Sequence, residues 1–147
     1  MRAFELSTDI QAPPTRVWET LEHLEGYDNW SSFLPYAAGS LRRGGTVYLR
    51  AKYSQAPVSI EVDEIVPGRR FVLSRDLFHR KLVHLTHSFA IHELEPRATR
   101  FTQRWEATGL LVPLMWNKLA SVMAKFEAFG ADLKVHVEGR AHRGPES

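Results

Sequence analysis

PLMWNKLASVMAKFEAFGADLKVHV, residues Pro113 to Val137, is the stretch that decides the fold. Leu119, Val122, Met123, Phe126, Phe129, Leu133 and Val137 recur at steps of three and four, with Lys118, Lys125, Glu127 and Lys134 largely between them. That spacing places one apolar stripe on an α-helix. Pro113 suits the first turn, where a backbone donor is not needed. At 1.5 Å per residue the helix would run roughly 38 Å, enough to cross a small domain. No other segment carries a comparable helical pattern, and nearly everything before it reads as strand. The pattern therefore predicts a sheet wrapped around one long C-terminal helix.

Upstream, period-two alternation dominates. Phe4, Leu6, Thr8 and Ile10 alternate with Glu5, Ser7 and Asp9, a half-buried first strand ended by Ala12-Pro13-Pro14. A short helix carrying Val17, Trp18, Leu21 and Leu24 follows and stops at Gly26. The aromatic run Tyr27 to Pro35 reads as a second short helix or tight loop, and Ala37–Leu41 as a short strand. A meander comes next, with turns at Arg42-Arg43-Gly44-Gly45, Ala56-Pro57, Pro67-Gly68 and Glu95-Pro96-Arg97. Its apolar faces carry Val47, Leu49, Ala51 and Tyr53; Val58, Ile60 and Val62; Phe71, Leu73 and Arg75; Val83, Leu85, His87, Phe89 and Ile91; Phe101, Gln103, Trp105 and Ala107. The order is strand, two short helices, about six further antiparallel strands, long helix. This is an α+β arrangement with the helices on one side of the sheet. One domain over 1–139 accounts for the chain, and 140–147 has nothing to bury and reads as a disordered tail.

Composition narrows the function classes. The chain has 147 residues, 44% hydrophobic and 24% charged, as expected of an ordinary globular domain. A net charge of +2, with no basic run interleaved with aromatics, argues against nucleic acid. There is no cysteine, so disulfides, thiol nucleophiles and thiolate metal sites are excluded. The N-terminus MRAFELSTDI lacks the apolar core of a signal peptide, and no apolar run reaches the ~20 residues of a membrane span. The expectation is a cytoplasmic protein with no stable membrane insertion.

Several residues carry a family likeness: Val17-Trp18 with Leu21, Tyr27 and Trp30 ahead of Phe33, Gly39, Gly44-Gly45, the VDEIVPGRRFV segment at 62–72, Thr99–Gly109, and Phe126-Glu127-Ala128-Phe129 with Leu133-Lys134. Over about residues 3–138 the chain resembles the START-like SRPBCC superfamily, especially its polyketide cyclase/dehydrase-like branch. The resemblance implies a helix-grip fold, a curved antiparallel sheet holding the C-terminal helix around a hydrophobic cavity. Members of the superfamily bind lipids, sterols, polyketides or other apolar compounds, and some are enzymes. Fold alone does not choose among these.

The residues most informative about chemistry are polar ones on apolar faces: Arg75, His87 and Gln103. Each, if inward, needs a partner, because an unpaired buried polar group costs on the order of 1–3 kcal/mol. Matching apolar faces across the last turn requires an odd loop, which sets His87 opposite Trp105 or Ala107 and Gln103 opposite Phe89 or Ile91. His87 and Gln103 then satisfy each other, or together orient a ligand. Arg75 either snorkels to water or meets a ligand carboxylate or phenolate. No histidine pair is spaced to chelate a metal within a strand. His84 and His87 face opposite sides, and His84 and His92 lie about 27 Å apart.

The expected binding residues are Leu49, Tyr53, Phe89, Trp105, Met115, Met123 and Phe126 as apolar walls and Arg75, His87 and Gln103 as polar groups. The aromatic cluster Tyr27, Trp30, Phe33 and Tyr36 would either form a lid over the cavity mouth, with Trp30 and Phe33 touching the ligand, or pack the short helices against the sheet. Large aromatics could equally fill the space. The leading expectation is binding of a small hydrophobic molecule without a cofactor. The alternatives are an aromatase/cyclase- or dehydratase-type enzyme with His87 as its acid/base, and an interaction module or homodimer built on the apolar segment Leu110–Trp116.

Overall fold

The computed structural model describes residues 1–143, with side chains through 139. Seven antiparallel strands form one sheet: β1 (Arg2–Ile10), β2 (Tyr36–Gly39), β3 (Thr46–Arg50), β4 (Val58–Val66), β5 (Arg70–Leu77), β6 (Val83–Glu95) and β7 (Ala98–Thr108). Their order across the sheet is β1-β7-β6-β5-β4-β3-β2. The meander is thus laid down strand by strand, and β1 closes the far side against β7. Between β1 and β2 lie helix α1 (Pro14–Glu22) and a 3₁₀ turn (Leu24–Asn29). Gly26 sits inside that turn and does not end the preceding helix, which stops at Glu22.

The sheet is curved, with a bulge between Val62 and Glu64 on β4 and another between Glu93 and Glu95 on β6. The β6 bulge adds the extra residue that makes the last hairpin's loop effectively odd. His87 pairs with Trp105 and Phe89 with Gln103, so the apolar faces stay in phase. The opposite face carries ion pairs typical of a solvated surface, including Arg100–Asp9 at 2.8 Å and Arg70–Glu64 at 2.6 Å.

The long C-terminal helix is present in two segments, α2 (Val112–Ala124) and α3 (Glu127–Arg143). At the junction the ladder tightens to 3₁₀ spacing: Phe126 N–H donates to the Met123 carbonyl and Phe129 N–H to the Phe126 carbonyl. No proline or glycine occupies the junction, so periodicity alone carries no sign of it. Helical backbone continues through 140–143, where composition predicts a loose tail; 144–147 lie outside the described residues.

Two clusters make the core. One joins α1, α3 and the sheet through Ile10, Val17, Leu21, Tyr27, Phe101, Phe129 and Leu133. The other packs α2 on the sheet through Val83, Trp105, Ala107, Val112, Leu119 and Met123. Phe126, at the helix junction, touches both. Gly130 lets α3 approach closely: a Cβ there would lie 2.6 Å from Thr8 Oγ1 and 3.7 Å from Gln103 Nε2.

Candidate functional site

A cavity of about 480 Å³ lies between α2 and the inner faces of β3 to β7. That volume is within the range of small-molecule sites. Eight of the twelve residues singled out from the sequence line it: Phe33, Leu49, Arg75, His87, Trp105, Met115, Met123 and Phe126. The wall is overwhelmingly apolar. Leu49, Leu73, Leu85 and Trp105 come from alternating strand positions, and Met115, Leu119 and Met123 from the α2 stripe.

Four expected residues sit elsewhere. Tyr53 lies beyond the end of β3 and is 81% exposed, because the strand stops at Arg50 and the alternation cannot extend to it. Trp30 packs on Tyr27 and Phe129, with ring centroids 5.0 and 5.1 Å away, and belongs to the core beside α3 rather than to a lid over the cavity. Phe89 is buried and stacked between His87 (4.0 Å) and Phe71 (4.5 Å), behind the wall. Gln103 is likewise buried behind His87.

Gln103 still shapes the site. Its Nε2 donates to the Phe126 carbonyl at 3.1 Å, which leaves its Oε1 facing His87 Nε2 at 3.3 Å. An amide oxygen only accepts, so His87 must carry its proton on Nε2, and Nδ1 keeps a lone pair. The imidazole is clamped between Phe89 and Trp105, with Phe126 edge-on at 5.0 Å. Burial lowers the His87 pKa from 6.5 to about 3, against the smaller opposing effect of Gln103. The ring is therefore neutral at physiological pH. Among the described residues no side-chain nitrogen or oxygen that is fully enclosed lacks a partner. His87 makes its one hydrogen bond through Nε2, which leaves Nδ1 without a hydrogen-bond partner on a ring that lines the cavity. The site thus presents a neutral, fixed acceptor on an aromatic wall.

Exposed Arg75 and Lys118 line the cavity together with Ser54, Ser74 and Thr86. Among the described residues no carboxylate lines it. Arg75 shares the face of Phe71 and Leu73 yet is exposed, because it lies near the strand's end and its long side chain reaches water. His84, on the other face, contacts Asp76 at 2.6 Å and takes no part in the cavity.

Sequence reasoning missed Val58, Ile60, Leu73 and Leu85 as wall residues, although each sits on an alternating face that it had identified, and it missed Leu77, two positions beyond Arg75 on the same strand. It also missed Lys118 and Val122, which border the cavity from the exposed edge of the helix stripe. No simple pattern separates these from ordinary core positions. The cavity exists because side chains of opposite walls fail to meet, which is a three-dimensional property.

The family described as polyketide cyclase / dehydrase and lipid transport matches residues 1–138. The chain belongs to that family. Solved structures agree on the fold. XoxI from Bacillus cereus superposes with a TM-score of 0.71 at 13% identity, covering 93% of this chain and 96% of that one. A norcoclaurine synthase point mutant from Thalictrum flavumn, in complex with a transition-state analogue, gives 0.73 at 5% identity, covering 94% of each chain. The di-domain ARO/CYC BexL from the BE-7585A biosynthetic pathway gives 0.69 at 14% identity, covering 94% of this chain and 47% of that one. At such identities the likeness speaks for the fold. No curated protein matches the chain. Membership of the polyketide cyclase/dehydrase family supports a ligand-binding or cyclase role. Among the described residues no helix is long and apolar enough to cross a membrane.

Proposed function

We propose that the protein binds a small, largely apolar molecule in the cavity beneath α2 and holds it through one hydrogen bond donated to His87 Nδ1. The observation that carries this reading is His87 on a largely apolar wall, its Nε2 engaged by Gln103 and its Nδ1 without a hydrogen-bond partner. A ligand hydroxyl, phenol or N–H would supply the donor that Nδ1 lacks. A carbonyl would find no donor on His87, because the Nε2 proton is taken by Gln103.

The same electrostatics bear on the enzymatic alternative. A histidine whose pKa is lowered to about 3 is a weak base, and proton abstraction works best with a base poised near the working pH. The geometry therefore favours binding over acid–base turnover at His87.

The test is a matched pair of probes, 1-naphthol and 1-methoxynaphthalene, each titrated into the protein by calorimetry. The naphthol should bind about tenfold more tightly, the effect of one net hydrogen bond of about 1.4 kcal/mol. His87→Phe keeps the ring and removes the acceptor, so the preference should disappear. Equal affinity of both probes for the parent protein would refute the assigned role of Nδ1.

A further inference from the structure

One end of the molecule has an unusual surface. Phe78, Leu110 and Leu114 are 79%, 79% and 86% exposed. They come from two segments held together by backbone hydrogen bonds: Leu110 N–H donates to the Lys81 carbonyl at 2.9 Å, and Leu111 N–H to the Leu82 carbonyl at 3.0 Å. Gly109 makes the approach feasible; its φ is +131°, and a Cβ there would collide with the Leu82 carbonyl. Phe78 has a φ of +69°, a left-handed conformation that bulky side chains rarely adopt. A large aromatic held outward at an uncommon backbone angle marks a surface with a task, and exposed large apolar groups clustered together mark an interaction site.

Charge indicates the partner. Residues 77–82 (LFHRKL) and 109–119 (GLLVPLMWNKL) contain Arg80, Lys81 and Lys118 and no Asp or Glu. All three cations are exposed, and none forms an ion pair among the described residues. Arg80 shares a polar surface pocket with Glu61, Asp63 and Asp76, of which Asp76 contacts His84 at 2.6 Å, whereas Lys81 and Lys118 lie outside it. A second copy of this chain is a poor occupant, since a self-complementary contact would set cations against cations. Apolar side chains rimmed by cations fit a lipid surface that carries negative charge. The cavity opens close by. Leu77 and Met115, sequence neighbours of Phe78 and Leu114, both line it, and Lys118 lies one helical turn beyond Leu114.

We propose that this end, formed by the loop between β5 and β6 and the first turn of α2, docks peripherally on an anionic lipid surface beside the cavity. Phe78, Leu110 and Leu114 enter the boundary between headgroups and acyl chains, while Arg80, Lys81 and Lys118 meet the headgroup phosphates. This surface stands apart from the ligand reading, and vesicle binding does not depend on what the cavity holds.

The test is co-sedimentation with vesicles of pure phosphatidylcholine and of phosphatidylcholine mixed equally with phosphatidylglycerol. The protein should bind the mixed vesicles strongly, bind the neutral ones weakly, and be released as salt is raised. The double substitution Leu110→Ser with Leu114→Ser should weaken binding at least about tenfold. Arg80→Gln with Lys81→Gln should weaken it about 25-fold, roughly fivefold per cation removed. Melting curves and 1-naphthol titrations of each variant should match the parent, which separates lost docking from lost folding. Three results would each overturn the proposal: no preference for the anionic vesicles, binding unchanged by the leucine substitutions, or a concentration-dependent dimer in light scattering that the leucine substitutions abolish.

Discussion

Lowering the pH should unfold this protein partly through one residue, and His87→Gln should remove that sensitivity. The folded state holds His87 neutral with its pKa lowered to about 3, whereas the unfolded chain should titrate near 6.5. Below pH 6.5 the unfolded state takes up a proton that the folded state refuses. Stability from this source is therefore complete above about pH 6.5 and declines as the pH falls toward about 3. At pH 5, about 1.5 pH units below the unfolded value, the loss is about 2 kcal/mol. Glutamine can reproduce the Nε2–H donor toward Gln103 but has no proton to gain. Urea unfolding of both proteins at about pH 7.5 and about pH 5 gives the comparison, because the difference between them cancels the other histidines and the carboxylates. The parent should lose about 2 kcal/mol more than the variant over that interval. Parallel losses would mean that His87 is open to solvent and protonates in the folded state, and the neutral-acceptor account would fall.

Two further substitutions probe neighbouring parts of the argument. Gln103→Leu strips the Phe126 carbonyl of its side-chain donor and leaves His87 Nε2–H unpaired, so stability in urea should drop by about 2 kcal/mol. The naphthol preference should shrink with it, since the tautomer is no longer fixed. Phe78→Asn places a residue that tolerates positive φ where Phe78 now sits at +69°; the melting temperature should hold or rise, by up to about 1 kcal/mol in stability, while binding to anionic vesicles weakens.

Much of the architecture was legible because period-two alternation survives in the long strands. The inward placement of His87 and Gln103 and their register against Trp105 and Phe89 follow from keeping apolar faces in phase, and the β6 bulge supplies the needed odd residue. The reasoning failed where alternation outran the strand, as at Tyr53, and it left a lid and ordinary packing open at Trp30, where packing is what the structure has. Both have one cause: hydrophobic pattern reports burial or exposure but not which neighbour does the burying. The break at Phe126 was illegible because the contacts that accompany it are long-range. Gln103, distant in sequence, bonds the carbonyl of Phe126, and the aromatic ring turns inward onto Trp105 and His87. The cavity itself depends on distances between walls, which no local pattern encodes.

Native mass spectrometry of freshly purified protein, followed by solvent extraction, tests the central claim most directly. The account predicts a discrete added mass that is lost on denaturation, from an apolar molecule bearing a hydroxyl or N–H. If the preparation arrives empty, saturating 1-naphthol should produce that complex. A bare polypeptide mass both as purified and in the presence of saturating 1-naphthol would contradict the account.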